Sequence, residues 1–315
     1  MPLKCLVTGG AGFIGSHLVR ALLERGDAVR VLDNLSTGKL SNLEEIKSDI
    51  ELIVEDLRDS DICLKACEGM DAVFHLGALG SVPRSIEDPF TSNAVNVGGS
   101  LHILDAARRG GVKRVVFSSS SSVYGSNPIL PKQEDMRPLP RSPYAVSKLA
   151  GETYCQAFYA SYGLEAVALR YFNVFGPRQS PDSQYAAVIP RFIAALAEGR
   201  APAIYGDGEQ SRDFTYVVNV VNANILAASA PDSPGKVFNI ACGEQITVNA
   251  LLAGIADRMG CKFEAEYLPE RAGDVRHSRA DITAAQTTLG YQPSVFFNEG
   301  LDRTVKALSS ELSCS

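Results

Sequence analysis

Short apolar runs alternate with stretches of helical periodicity along the first half of the chain. Residues 3–8 read as a buried strand, and 28–33, 52–54, 72–76, 115–118 and 166–171 read as further strands. Helical spacing falls between them at residues 14–25, 93–109 and 144–161. Strands that alternate with helices predict an α/β fold: a Rossmann-type doubly wound parallel sheet with helices on both faces. After Phe175-Gly176-Pro177 the texture changes. Proline and glycine become more frequent and the strands shorter, while residues 190–199 and 249–260 keep helical spacing. This predicts a first domain over residues 1–175 and a smaller mixed α/β domain over 176–315, with segments near 214–230 returning to the first. There is no internal repeat, and the serine run from Ser118 to Ser122 belongs to an ordered pattern. Residues 309–315 are expected to fray.

Composition narrows the function classes. Of the 315 residues, 45 % are hydrophobic and 21 % charged, which suits a globular protein. Thirty basic and 36 acidic residues give a net charge of −6. No basic track suggests nucleic acid, although a few local arginines could still bind a small anion. The seven cysteines form no Cys-x-x-Cys pair and only four histidines accompany them, which argues against a zinc site. Their scatter fits reduced thiols, with Cys5 packed in a strand. No apolar run reaches membrane-spanning length. The short run after Lys4 is broken by Gly9 and Gly10, so it does not read as a signal peptide. These features lead to the expectation of a cytoplasmic protein.

The first chemical signal is the run Thr8-Gly-Gly-Ala-Gly-Phe-Ile-Gly15, placed between a strand and a helix. Gly9, Gly12 and Gly15 permit a tight turn, backbone approach to a pyrophosphate and close helix-strand packing. Phe13 and Ile14 open the helix, whose N–H groups and dipole favour phosphate. The second strand ends in Asp33, at the distance expected of an acid that accepts hydrogen bonds from the adenosine ribose and repels a 2′-phosphate. This points to NAD rather than NADP. Asp56 and Leu57 after the third strand, and Leu76, Gly77 and Ala78 after the fourth, fall where they would line such a cofactor. No Gly-Lys-Ser/Thr phosphate loop is present, so a nucleotidase has no support.

The second signal is Tyr144-Ala-Val-Ser-Lys148, with Ser120 upstream. A lysine four residues along a helix lies on the same face as the tyrosine. Its ammonium is expected to favour the phenolate and draw the phenol from its usual pKa near 10 toward neutrality. Tyr144 then becomes a candidate general base.

Taken together and in order, these segments resemble the extended short-chain dehydrogenases, and within them the nucleotide-sugar 4-epimerases. The resemblance runs through Thr8–Gly15, Asp33–Gly38, Asn96–Ser100, Phe117–Gly125, Ser142–Lys148, Leu169–Gly176, Gly206–Phe214 and Arg271–Asp281. It implies that Asp33, Asn34, Ser36 and Gly38 surround the adenosine end of NAD, that Asn96 lies near the cofactor, and that Lys148 and Tyr171 attend the nicotinamide end. It implies a UDP-sugar substrate, with Ser120 and Tyr144 at the 4-hydroxyl and Asn173, Ser122 and Val188 in the substrate site. Arg212 and Arg271 would grip the diphosphate, a task suited to guanidinium, and Asp274 would reach the nucleoside ribose. The implied reaction is 4-epimerisation through a transient 4-keto sugar, with NAD regenerated in each cycle.

The resemblance separates this chain from relatives with other chemistry. Related 4,6-dehydratases carry an Asp-Glu pair where Ser121 and Ser122 stand, and related UDP-glucuronate decarboxylases carry a glutamate at the position of Ser122. Galactose-only epimerases carry a tyrosine at the position of Ser278, where serine leaves room for an N-acetyl group. The expected substrates are therefore UDP-GlcNAc/UDP-GalNAc, with UDP-Glc/UDP-Gal as a possible second pair. A UDP-uronate 4-epimerase, and a non-catalytic NAD-binding regulator on the same fold, remain open alternatives. The resemblance further implies a homodimer built by helices 93–109 and 144–161 as a four-helix bundle.

Overall fold

The computed structural model describes residues 2–180, 187–270 and 275–313. The apolar runs assemble into one seven-stranded parallel sheet. Its strands are β1 (Lys4–Thr8), β2 (Ala28–Leu32), β3 (Ile50–Ile53), β4 (Ala72–His75), β5 (Arg114–Ser120), β6 (Glu165–Tyr171) and a seventh, Val237–Ile240. From one edge the order is Val237–Ile240, β6, β5, β4, β1, β2, β3. The order reverses between β1 and β4, and in such sheets ligands bind at the crevice outside the carboxyl ends of those strands.

The alternation of side chains along each strand divides the core. Cys5, Val7, Val29, Val31, Phe74, Val116 and Val167 face α1 (Phe13–Glu24) and its neighbours. Leu6, Leu32, Val73, Val115, Phe117 and Ala166 face the other side. There lie α2 (Ser60–Cys67), α5 (Gly99–Arg109) and α6 (Pro143–Tyr162). The expected helix over 93–109 proves composite. Pro89–Asn93 (α4, after the short α3, Val82–Glu87) runs into a π-helical turn at Ala94–Gly98 and then into α5.

The second half contributes more to the first sheet than its sequence suggested. α8 (Val217–Ala227) packs on α1, and the strand Val237–Ile240 pairs with β6. Around them lie α7 (Val188–Ala197), α9 (Val248–Met259), α10 (Phe297–Ser313) and three short strand pairs. Among the described residues no helix is long and apolar enough to cross a membrane.

Candidate active site

The glycine turn is a close three-way approach. Gly9 has φ +70°, and its N–H donates to the Leu32 carbonyl (2.8 Å). A β-carbon at Gly9 would lie 2.7 Å from the Gly77 nitrogen, and one at Gly15 only 2.1 Å from the Gly9 carbonyl oxygen. α1 begins with no side-chain cap at Gly12, which leaves its first N–H groups for a ligand. A cleft of about 380 Å³ opens here, walled by Gly9, Gly12, Phe13, Ile14 and Gly15 on one side and Leu76, Gly77 and Ala78 on the other.

Asp33 lines this cleft and is buried. Its carboxylate accepts from Ala11 N–H (2.9 Å) and Leu35 N–H (2.8 Å). Burial raises its pKa, and these two donors oppose the rise. Asn34 and Ser36 line the cleft beside it. Gly38 does not, but a β-carbon there would lie 3.0 Å from Asp33 Oδ2, so its bareness lets the loop fold onto the acid. Asn34 donates to Asp56 (2.8 Å), and the Arg58 guanidinium holds that carboxyl well below the usual range. Leu57 completes this wall. Lys39, Arg84 and Arg178, which the sequence reading did not single out, also line the cleft and carry the charge expected near a pyrophosphate.

Asn96 lies next to the cleft, in the layer behind its lining residues Leu79 and Val95. It is buried behind the wall, and its amide is occupied within the protein. Oδ1 accepts from Leu79 N–H (2.8 Å), while Nδ2 donates to the Leu79 carbonyl (3.2 Å) and to Ser147 Oγ (3.1 Å). It braces the loop after β4 against α6 rather than facing the cleft. A second brace is His75. Gly77 N–H donates to Thr8 Oγ1 (3.0 Å), which meets His75 Nδ1 (2.7 Å), and Nε2 meets Ser100 Oγ (2.9 Å). Because the Ser100 hydroxyl donates to the Asn96 carbonyl (2.5 Å), the network assigns the proton to Nε2. Burial pushes His75 down to about 3, so it stays neutral.

α6 carries the second signal. Pro143 follows the Ser142 cap, whose Oγ accepts from Ala145 N–H (3.2 Å), a start that stabilises a helix by about 1 kcal/mol. Ser120, Tyr144 and Lys148 meet on the wall of a second cavity of about 680 Å³, which shares Ile14, Leu76, Ala78, Gly80 and Ser118 with the cofactor cleft. Tyr171 lies on the same wall, its hydroxyl donating to Asn224 (2.9 Å). The Ser120 side chain hydrogen-bonds the Tyr144 phenol and favours its ionisation, but burial outweighs this and raises the phenol's pKa. The charge of Lys148 does not overcome this burial, contrary to expectation. Lys148 Nζ donates to the Ser118 carbonyl (2.8 Å) and sits 5.9 Å from the Tyr144 ring centre. Its charge is directed at the strand, and burial brings its own pKa down to about 8, against the opposing charge of Glu152.

The sugar-side residues divide. Ser122 lines the cavity with a buried hydroxyl that has no protein partner. Asn173, Arg212 and Ser278 share that wall. Ser278 is 8 % exposed, and its N–H donates to the Ser211 carbonyl (3.0 Å). Asn173 Nδ2 donates to the Asp213 carbonyl (3.3 Å) and Arg212 Nη1 to that of Ser211 (3.0 Å). The buried Asp213 carboxylate staples this wall by accepting from the N–H groups of Cys242, Gly243 and Ala280, each at 3.1 Å. Val188 opens α7 and packs on the core rather than lining the cavity. Arg271 and Asp274 lie outside the described residues. Lys132 and Arg141 also line the cavity and were missed; no periodicity or spacing marks them.

This arrangement, a dinucleotide cradle opening onto a Ser-Tyr-Lys cavity at a parallel-sheet switch point, defines an NAD-dependent member of the short-chain dehydrogenase class. Residues 5–241 match the family described as NAD dependent epimerase/dehydratase, and the chain belongs to that family. It is 42 % identical over 308 residues to a UDP-glucose 4-epimerase of Mycolicibacterium smegmatis, covering 96 % of this chain and 98 % of the relative. The structure superposes on the UDP-N-acetylglucosamine 4-epimerase of Methanobrevibacter ruminantium in complex with UDP-N-acetylmuramic acid, with a TM-score of 0.94, 46 % identity and coverage of 98 % and 99 %. A UDP-glucose 4-epimerase of Thermotoga maritima with UDP-glucose gives a TM-score of 0.94 at 39 % identity, covering 98 % and 100 %.

The residues present fit NAD. Side chains at Gly9 and Gly15 would strike protein backbone, so their bareness lets the turn close and bring the uncapped start of α1 to the cleft, and the Asp33 carboxylate lines the same cleft as an acceptor for a ribose.

Proposed function

We propose that this protein is an NAD-dependent 4-epimerase of UDP-sugars that acts on UDP-GlcNAc/UDP-GalNAc and also accepts UDP-Glc/UDP-Gal. One observation carries the reaction type: Ser120, Tyr144 and Lys148 share one wall where the cofactor cleft and the second cavity join. Bound NAD supplies an acceptor and donor of hydride. Gly9, Gly12, Gly15 and Asp33 hold it, with Asn34, Ser36, Asp56 and Leu57 around the adenosine. Tyr144 takes the proton of the sugar 4-hydroxyl and later returns one, while Ser120 orients the same oxygen. Lys148 holds a positive charge beside them. Arg212, with Arg271, grips the diphosphate, and Asn173 and the unpartnered Ser122 hydroxyl contact the sugar.

The N-acetyl reading rests on Ser278, a small side chain on the cavity wall. The division of labour is part of this reading: residues 1–175 bind the cofactor and 176–315 add the substrate wall. So is a homodimer. Phe90 is 85 % exposed, Ile86 62 % and Val146 53 %. Val146 with Ala150, Thr153 and Ala157 forms a stripe of small residues along α6, suited to close packing in a four-helix bundle. A cytoplasmic location agrees with the free cysteines.

The test is direct. Purified protein should interconvert UDP-GlcNAc and UDP-GalNAc and should release NAD on denaturation. Tyr144→Phe should keep the NAD and lose roughly two or more orders of magnitude in turnover. Turnover of UDP-glucuronate in preference to the neutral sugars would instead identify a uronate epimerase.

A further inference from the structure

Beyond the residues that touch substrate, α6 carries one more inward-facing charged group. Glu152 stands one turn after Lys148 and is 2 % exposed. Arg170, itself 3 % exposed, holds it bidentately, Nε to Oε1 at 2.9 Å and Nη2 to Oε2 at 2.8 Å. Ser119 Oγ donates to Oε1 at 2.5 Å. The register of the sheet explains why these groups meet. Ser119 on β5 pairs with Arg170 on β6, and the next pair is Ser120 with Tyr171. The residues bonded to Glu152 therefore each precede a residue of the reaction cavity by one position. Lys148, on the same helix, is bonded to the Ser118 carbonyl of the same strand.

We propose that Glu152 is a positioning residue: with Ser119 and Arg170 it ties α6 to β5 and β6, fixes Lys148 against Ser120 and Tyr144, and supports the lysine's positive charge. The proposal rests on the role given to Lys148 above. The groups around the ammonium leave this task to Glu152. On α6 itself stand Tyr144 and Glu152. β5 offers the Ser118 carbonyl and the Phe117 ring, 5.2 Å away. β4 offers His75, which is neutral, and β6 offers the Tyr171 phenol and, beyond Glu152, Arg170. Among the described residues Glu152 is the carboxylate whose charge opposes the effect of burial on Lys148. Charged groups held in a low-dielectric interior act strongly on one another.

The experiment compares wild type, Glu152→Gln and the double variant Glu152→Gln/Arg170→Gln. The double variant replaces the ion pair by two neutral amides and spares a buried guanidinium without its counter-ion. For each, the pH dependence of kcat/KM is measured. The Tyr144 phenolate is also titrated by ultraviolet absorbance, against a Tyr144→Phe control in the same background. Without the carboxylate, Lys148 loses its proton more readily, so the alkaline limb of kcat/KM should move to lower pH, by roughly half to one unit in Glu152→Gln and by less in the double variant, which also removes the more distant Arg170 charge. The phenolate midpoint should move up, with NAD content unchanged. A folded variant whose limb and phenolate midpoint superimpose on wild type overturns the proposal, even if its rate is lower at every pH. The two readings fail differently: an active Tyr144→Phe removes the base, whereas an inactive one beside an unshifted Glu152→Gln removes only the role of Glu152.

Discussion

Gly151 lies so close against Phe117 that a β-carbon there would stand 2.2 Å from the ring's Cζ. This contact seats α6 deeply enough on β5 for Lys148 to reach the Ser118 carbonyl. Alanine is the better helix former by about 1 kcal/mol, but an extra methyl forced into a packed core costs about 1–3 kcal/mol. Gly151→Ala should therefore lower the melting temperature and reduce turnover while NAD remains bound. Thermal unfolding and cofactor content on the same preparation check it. An unchanged or raised melting temperature would mean that the ring yields and the seat is not tight.

Gly15 faces a harder obstacle, because its neighbour is a backbone oxygen. Gly15→Ala would place the methyl 2.1 Å from the Gly9 carbonyl, so the turn itself must move. The purified variant should carry little NAD while its far-ultraviolet circular dichroism keeps the wild-type shape. Full NAD occupancy would show that the turn relaxes without losing its grip.

Substrate choice should turn on Ser278. Ser278→Tyr puts a phenol into the cavity, a clash with an N-acetyl group but not with a hydroxyl. We expect kcat/KM for UDP-GlcNAc to fall at least tenfold relative to that for UDP-Glc. If the ratio stays where it was, Ser278 does not face the sugar's C2 substituent.

Acid should destabilise the fold in a window set by two histidines, His75 buried and His17 half-buried. Burial pushes His75 down to about 3 and His17 down to about 4, from an ordinary value of 6.5. In each case the unfolded chain binds a proton that the folded one resists. The associated stability is present above pH 6.5 and is lost as pH falls toward 3–4. Asp213 acts with the opposite sign: burial raises it to about 6, so its contribution is present below 3.8 and lost as pH rises through 6. Burial raises Asp33 and Glu134 as well, and they act with Asp213, so the histidine contribution is read as a difference: the fall in melting temperature between pH 6.5 and 4 should be steeper in wild type than in a variant lacking one of the two imidazoles. His75→Gln should flatten that fall. An equally steep fall in the variant would place the acid sensitivity elsewhere.

Much of the site was legible because it rests on local geometry. The glycines at 9, 12 and 15 are needed where a turn leaves a strand and enters a helix. Asp33 ends the next strand, and Tyr144 and Lys148 share a helix face by spacing alone. The same spacing, extended one turn, would have found Glu152. The strands β1 to β6 were legible because apolar runs of strand length stand between helical patterns.

What the tertiary structure decided depends on which segments meet. The strand Val237–Ile240 does not stand out in sequence because Asn239 interrupts its apolar run, and only its pairing with β6 makes it the sheet's seventh. Asn96 and Asp33 are both polar residues near strand or helix ends. Packing turned the first inward to brace Leu79 and Ser147 and left the second at the cleft. The ionisation of Tyr144 was decided the same way. Sequence spacing put a lysine one turn from the phenol, but desolvation and the direction in which an ammonium points depend on what lies above the helix. Here that is β5, whose Ser118 carbonyl takes the Lys148 proton donor while burial raises the phenol.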